Sequence, residues 1–167
     1  MKKGKNGQIK LSFGMIFSII LIVIFLLFAF YAIKTFLKIQ NTAQVGKFLS
    51  DLESDIDRIW KSAESSETKE YDLPSKIEYV CFVDFSSSAT GTNSLLYNEL
   101  KKGYYGDENL IFYPLFSSSN IDSTEIKNID LEEITKNENP FCIDNIKGEV
   151  ELSLVKEMDD AQVTITR

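Results

Sequence analysis

Between Leu11 and Ile33 the chain runs for 23 residues without a charged side chain. At about 1.5 Å of rise per residue, a helix of that length crosses a hydrocarbon core roughly 30 Å thick. No other stretch narrows the structural choices as much, because backbone inside a bilayer must satisfy its own hydrogen bonds and a lone segment does so only as a helix. The spacing and composition predict a transmembrane helix over residues 11–33, with a basic cytosolic leader over residues 1–10.

After the span the apolar pattern changes character with no proline to interrupt it. Val45, Phe48, Leu49, Leu52, Ile56, Ile59 and Trp60 fall at the i, i+3, i+4, i+7 spacing of one helix face. Asp51, Glu53, Asp55, Asp57 and Arg58 occupy the rest of the surface. This predicts an amphipathic helical extension over residues 34–64, weakened only by Gly46, which costs about 1 kcal/mol relative to alanine. A stripe of about two and a half heptads is short for a coiled coil. We therefore expect the face to pack on the chain's own head, with Trp60 its largest contributor.

Charge divides the chain. Residues 1–50 hold seven lysines and no acid, whereas residues 65–167 hold nine basic and twenty acidic residues. Phosphate contacts need clustered Lys and Arg, so an acidic head argues against nucleic acid as a partner. Lys2, Lys3, Lys5 and Lys10 before the span outnumber Lys34, Lys38 and Lys47 after it. By the positive-inside bias, this places the N-terminus in the cytoplasm and the head over residues 65–167 outside the cell membrane. Membrane lipid is the expected partner of the span.

The polar stretch SAESSETKE (62–70) reads as the end of the helix, with the head beginning after it. Residues 77–85 are nearly all apolar and rich in aromatic and β-branched types, as in a central strand buried on both faces. SLLYNELKKG (94–103) reads as a short helix stopped at Gly103. NLIFYPLF (109–116) reads as a second strand. Asp130 with Glu133 matches a capping box for a short helix. FCI, GEVELSLVKE and AQVTITR form an expected antiparallel meander, with Val150, Leu152 and Leu154 alternating with polar residues. The expected fold class is α+β: a long N-terminal helix followed by a small, mainly antiparallel sheet domain with one or two short helices.

Chemistry is sparse. The chain has no histidine, which excludes Ser-His-Asp and Cys-His constellations and removes the commonest metal ligand. Asp84, Ser86 and Ser88 follow the central strand and resemble the Asp-x-Ser-x-Ser metal loop of von Willebrand factor A domains. Such oxygens suit Mg²⁺, but too little chain follows for the βα units of that fold, and a surface loop is the expected role. No cofactor and no catalytic residue is expected. Tyr97, Tyr104, Tyr105, Phe112, Tyr113 and Phe116 are expected mostly in the core. Cys81 and Cys142 form either a disulfide, suited to an extracytoplasmic domain, or two buried thiols on neighbouring strands. Closing a loop of about sixty residues stabilises by roughly 4 kcal/mol in the loop-entropy account.

The leader carries one further pattern. Lys5, Gly7 and Gln8, followed by the apolar run from Leu11, resemble the class III signal sequence of archaeal type IV pilins and archaellins. The resemblance covers about forty residues. It implies cleavage between Gly7 and Gln8 by a membrane peptidase and bundling of the freed helices into a homo-oligomeric filament core. Asn6 replaces a usual basic residue, and Ser12 stands where a glutamate is common. An unprocessed single-pass anchor carrying a binding or accessory module satisfies the same apolar pattern, because lipid and sister helices are both apolar surroundings.

Overall fold

The computed structural model describes residues 13–118 and 121–167. Helix α1 spans Phe13–Trp60 without a break. The strands are β1 (Ser65–Asp72), β2 (Tyr79–Phe82), β3 (Leu110–Tyr113), β4 (Ser123–Thr124), β5 (Phe141–Asp144), β6 (Glu149–Lys156) and β7 (Thr164–Thr166). Two short helices, α2 (Tyr97–Leu100) and α3 (Leu131–Thr135), complete the α+β fold. The chain divides into two compact units with the boundary between Lys38 and Ile39.

The second unit contains two antiparallel sheets, of order β1-β6-β7 and β4-β3-β2-β5. As the apolar run predicts, β2 is central, pairing with β3 on one side and β5 on the other. Its alternating side chains serve two cores. Val80 and Phe82 join the main core, and Cys81 and Val83 join a smaller one on the opposite face with Leu100 and Ile111. That is why the strand is apolar at every position: it has no wet face.

The main core is built on α1. Val45, Phe48, Leu52, Ile56 and Ile59 are buried, and Leu49 packs partly against them. The Phe48 ring meets Tyr71 of β1 at 5.5 Å and Phe112 of β3 at 5.7 Å, both edge-on, so one side chain joins the two sheets. Edge-to-face pairs of this kind contribute about 0.5–1.5 kcal/mol beyond area burial. On β6, Val150, Leu152 and Leu154 alternate inward as their spacing predicts. At α3, Asp130 accepts a hydrogen bond from the Glu133 amide at 2.9 Å, the N-cap half of the expected box. The Asp130 amide instead donates to the Val163 carbonyl.

The fold departs from the sequence expectation in four places. First, the polar stretch read as the end of the helix already holds part of the sheet: Ser65–Asp72 is a full strand, paired with β6 along eight residues. It is an edge strand, where charged side chains are an advantage because they discourage pairing with other chains. Of its inward positions, Glu67 and Lys69 meet charged groups of α1, and only Tyr71 enters the core, its hydroxyl bonded to Asp55, so apolar alternation was not required. Second, the C-terminal meander is divided. β6 and β7 pair, but β5 leaves for the other sheet and pairs with β2. The Asn145 side chain helps fix this exit, donating to the carbonyls of Pro74 and Ile77 and accepting from the Gly148 amide.

Third, Trp60 is not part of the buried face; it is 39% exposed. Helix α1 ends at this residue, and the indole turns outward to donate to the Ala161 carbonyl at 3.1 Å. Fourth, the aromatic group is only partly core. Phe112 is fully buried, and Tyr97 and Tyr113 pack against the smaller core, but Tyr105 and Phe116 are more than 80% exposed.

Candidate functional site

In the first unit the relevant surface is helical and apolar on all sides. From Phe13 to Ile33 the large apolar side chains are exposed, and none of the span's most apolar window is buried within the chain. Among the described residues this is the one helix long and apolar enough to cross a membrane. Surface of this kind is stable only in lipid or against other apolar surfaces. Gly7, Gln8 and Ser12 lie outside the described residues.

In the second unit, α1 is tied to the sheet by charge as well as by its apolar face. Arg58 grips Glu67 of β1 with two parallel hydrogen bonds of 2.6 and 2.9 Å and also donates to Asp55 at 2.8 Å. Tyr71 donates to the other Asp55 oxygen at 3.0 Å, and Lys69 lies 3.6 Å from the same carboxylate. Burial pushes the Asp55 carboxyl up, but hydrogen bonds from Arg58 and Tyr71 and the Lys69 charge outweigh it and hold it below its ordinary value. The Arg58 hydrogen bonds lower Glu67 as well. Burial, with the nearby Asp55 charge, pushes the Tyr71 phenol up. At the end of α1, Lys156 of β6 donates to the carbonyls of Trp60 and Ser62 at 2.7 and 2.8 Å. A lysine there also complements the helix dipole.

Of the two alternatives for the cysteines, the structure has the bridge. Cys81 and Cys142 face each other across the β2–β5 ladder and are joined by a disulfide. Both are buried, in the smaller core. The two cysteines are 61 positions apart in sequence, and the loop they close holds β3, β4, α2 and α3, so the bond constrains nearly half of the second unit in the unfolded chain.

The loop at Asp84 closes on itself. One Asp84 carboxylate oxygen accepts from the Ser86 amide and hydroxyl, and the other accepts from the Ser87 hydroxyl at 2.6 Å. Burial raises this carboxyl, but those hydrogen bonds prevail and lower it. Ser88 is fixed differently, its carbonyl accepting from Asn139. Asn139, 1% exposed, holds the loop from below: it accepts from the Asp84 amide and donates to the Asp84 carbonyl. The Asp84 carboxylate and the Ser86 hydroxyl thus serve local turn chemistry. Among the described residues there is no group of three or more His, Cys, Asp or Glu side chains arranged to hold a metal ion.

Sequence reasoning missed the cleft beside Trp60. Glu53, Asp57, Trp60 and Lys61 of the α1 end form one wall; Glu125, Lys127 and Asn128 form the other. No local signal links residues 53–61 to 125–128. The exposed indole is the one element that composition offered, since it is the chain's single tryptophan. No family profile matches this chain, and no curated protein or solved structure matches it.

Proposed function

We propose that this chain is a pilin-like, membrane-anchored surface subunit with a structural or adhesive role, its N-terminus cytoplasmic and its disulfide-bonded head outside. The observation that carries the reading is the single helix α1, apolar and exposed from Phe13 to Ile33 and buried along one face from Val45 to Ile59. Such a helix supplies an apolar segment for a surrounding phase and a stripe for a folded head, the arrangement implied by the Lys5-Gly7-Gln8 resemblance. The Cys81–Cys142 bridge supports the external placement, because disulfides persist in oxidising compartments. The absence of histidine supports a role without catalysis.

N-terminal sequencing of the mature chain tests this. A start at Gln8 supports pilin-type processing; a start at Met1 or Lys2 overturns it. The second reading, an anchored binding or accessory module that does not polymerise, is favoured by Ser12 in place of the glutamate common in pilins. Electron microscopy of the cell surface separates the two: filaments that disappear on deletion of this chain support the first reading.

A further inference from the structure

Trp60 is an anomaly in its helix. Ile56 and Ile59, its neighbours on the same side, are fully buried, whereas the largest side chain of the stripe is left 39% exposed. It is also held there. The indole N–H is committed to the Ala161 carbonyl, and the Trp60 carbonyl is gripped by Lys156. The ring therefore stands as a fixed apolar plane in a wet setting.

The opposite wall is equally fixed. Ile126 is buried, and its amide and carbonyl are both bonded to the Asn109 side chain, at 2.7 and 2.8 Å. Asn128 adopts a left-handed backbone, φ 63°, which asparagine tolerates better than most residues. Its carbonyl accepts from the Val163 amide, and its side-chain amide donates to Asp57 at 2.9 Å. Between these walls lies a cleft of about 510 Å³, within the roughly 300–1,000 Å³ range of small-molecule sites. Walls positioned before binding reduce the ordering cost of capturing a ligand.

The polar lining selects the ligand. Glu53 and Glu125 offer acceptors and Lys61 and Lys127 offer donors, while Asp57 and Asn128, bonded to each other, keep a second carboxylate oxygen and a second amide hydrogen. Carboxylates and ammonium groups stand side by side and largely cancel, so the lining gives an ion of either sign little net attraction and offers a dense set of donors and acceptors instead. The ligand's surface must carry both donors and acceptors, together with an apolar face to lie on an indole. A pyranose ring meets all three requirements: its C–H face stacks on an aromatic plane, and every hydroxyl both donates and accepts. We infer that the cleft beside Trp60 binds a neutral saccharide, with one sugar ring stacked on the indole. This holds whether or not the chain polymerises, and it gives the head an adhesive activity of its own.

Because Trp60 is the chain's single tryptophan, its fluorescence reports on the cleft alone. The full chain, held in a detergent without a sugar headgroup, is titrated with neutral mono- and oligosaccharides, with choline and inorganic phosphate as charged controls. The expected result is a saturable change in Trp60 emission with at least one saccharide and none with the controls. Glu125→Ala and Lys127→Ala, both at exposed positions, are expected to weaken binding about fivefold each and to leave the melting temperature unchanged. The inference is overturned if no saccharide gives a saturable change, if choline or phosphate gives an equal one, or if both variants bind as the parent does.

Discussion

Phe25 and Phe48 lie in one helix and have opposite surroundings. Phe25 is 70% exposed in a segment whose apolar side chains point in every direction; Phe48 is 1% exposed in a stripe whose other side is charged. The backbone of α1 is the same in both regions, so helix formation does not distinguish them. What differs is the angular distribution of apolar residues. A helix apolar all round calls for an apolar phase, and a striped helix calls for one packed neighbour. The two halves thus ask for different solvents, and only the second finds its partner within the chain.

Matched substitutions break this comparison most forcefully at the two phenylalanines. Phe48→Ala removes the contact between the sheets and is expected to destabilise the head by about 3–5 kcal/mol, read as a large fall in its thermal midpoint. Phe25→Ala is expected to leave that midpoint unmoved. Equal effects at both sites would show that the first segment also stabilises the head. A charge probes the other half. Ile24→Arg near the middle of the span is expected to cost about 2.5–3.5 kcal/mol of membrane insertion, measured as the fraction of chain resisting alkaline extraction. Undiminished extraction resistance would remove lipid as that segment's solvent.

The smallest effect concerns the charges that join α1 to β1. Asp55 and Glu67 are both held below their ordinary values in the folded chain. The stability they contribute is therefore present above the unfolded carboxyl value of about 4, and is lost as pH falls through the lower folded values. The head's melting temperature is expected to drop as pH is lowered from 5 to about 3. Arg58→Met is expected to make that drop shallower, because it removes the partner responsible for much of both shifts. An unchanged pH profile in the variant would assign the acid sensitivity to other carboxylates.

Much of the fold was legible in the residues because much of it is periodic. The i, i+3, i+4 spacing from Val45 marked the buried face, and the period-two alternation at Val150, Leu152 and Leu154 marked a half-buried strand. The unbroken apolar run at β2 marked a strand with no wet face, and Asp130 marked a helix start. Ser65–Asp72 escaped notice because, of its inward positions, Glu67 and Lys69 meet Arg58 and Asp55 and only Tyr71 reaches the apolar core, leaving too little alternation to read. The cleft was invisible for a related reason: its two walls are about seventy residues apart in sequence, and only long-range contacts such as Asn128 with Asp57 bring them together.

The sequence by itself determined α1, β2, β6 and the start of α3 and which of their faces shun water, since these follow from the spacing of side chains along a backbone of known period. Tertiary structure decided the partners. It chose β2 over β6 as the neighbour of β5 and thereby set Cys81 against Cys142. It recruited a polar segment as an edge strand, and it turned Trp60 out of the core. Those choices depend on contacts between residues distant in sequence, whose energies exist only once the chain has closed on itself, and no local pattern encodes them.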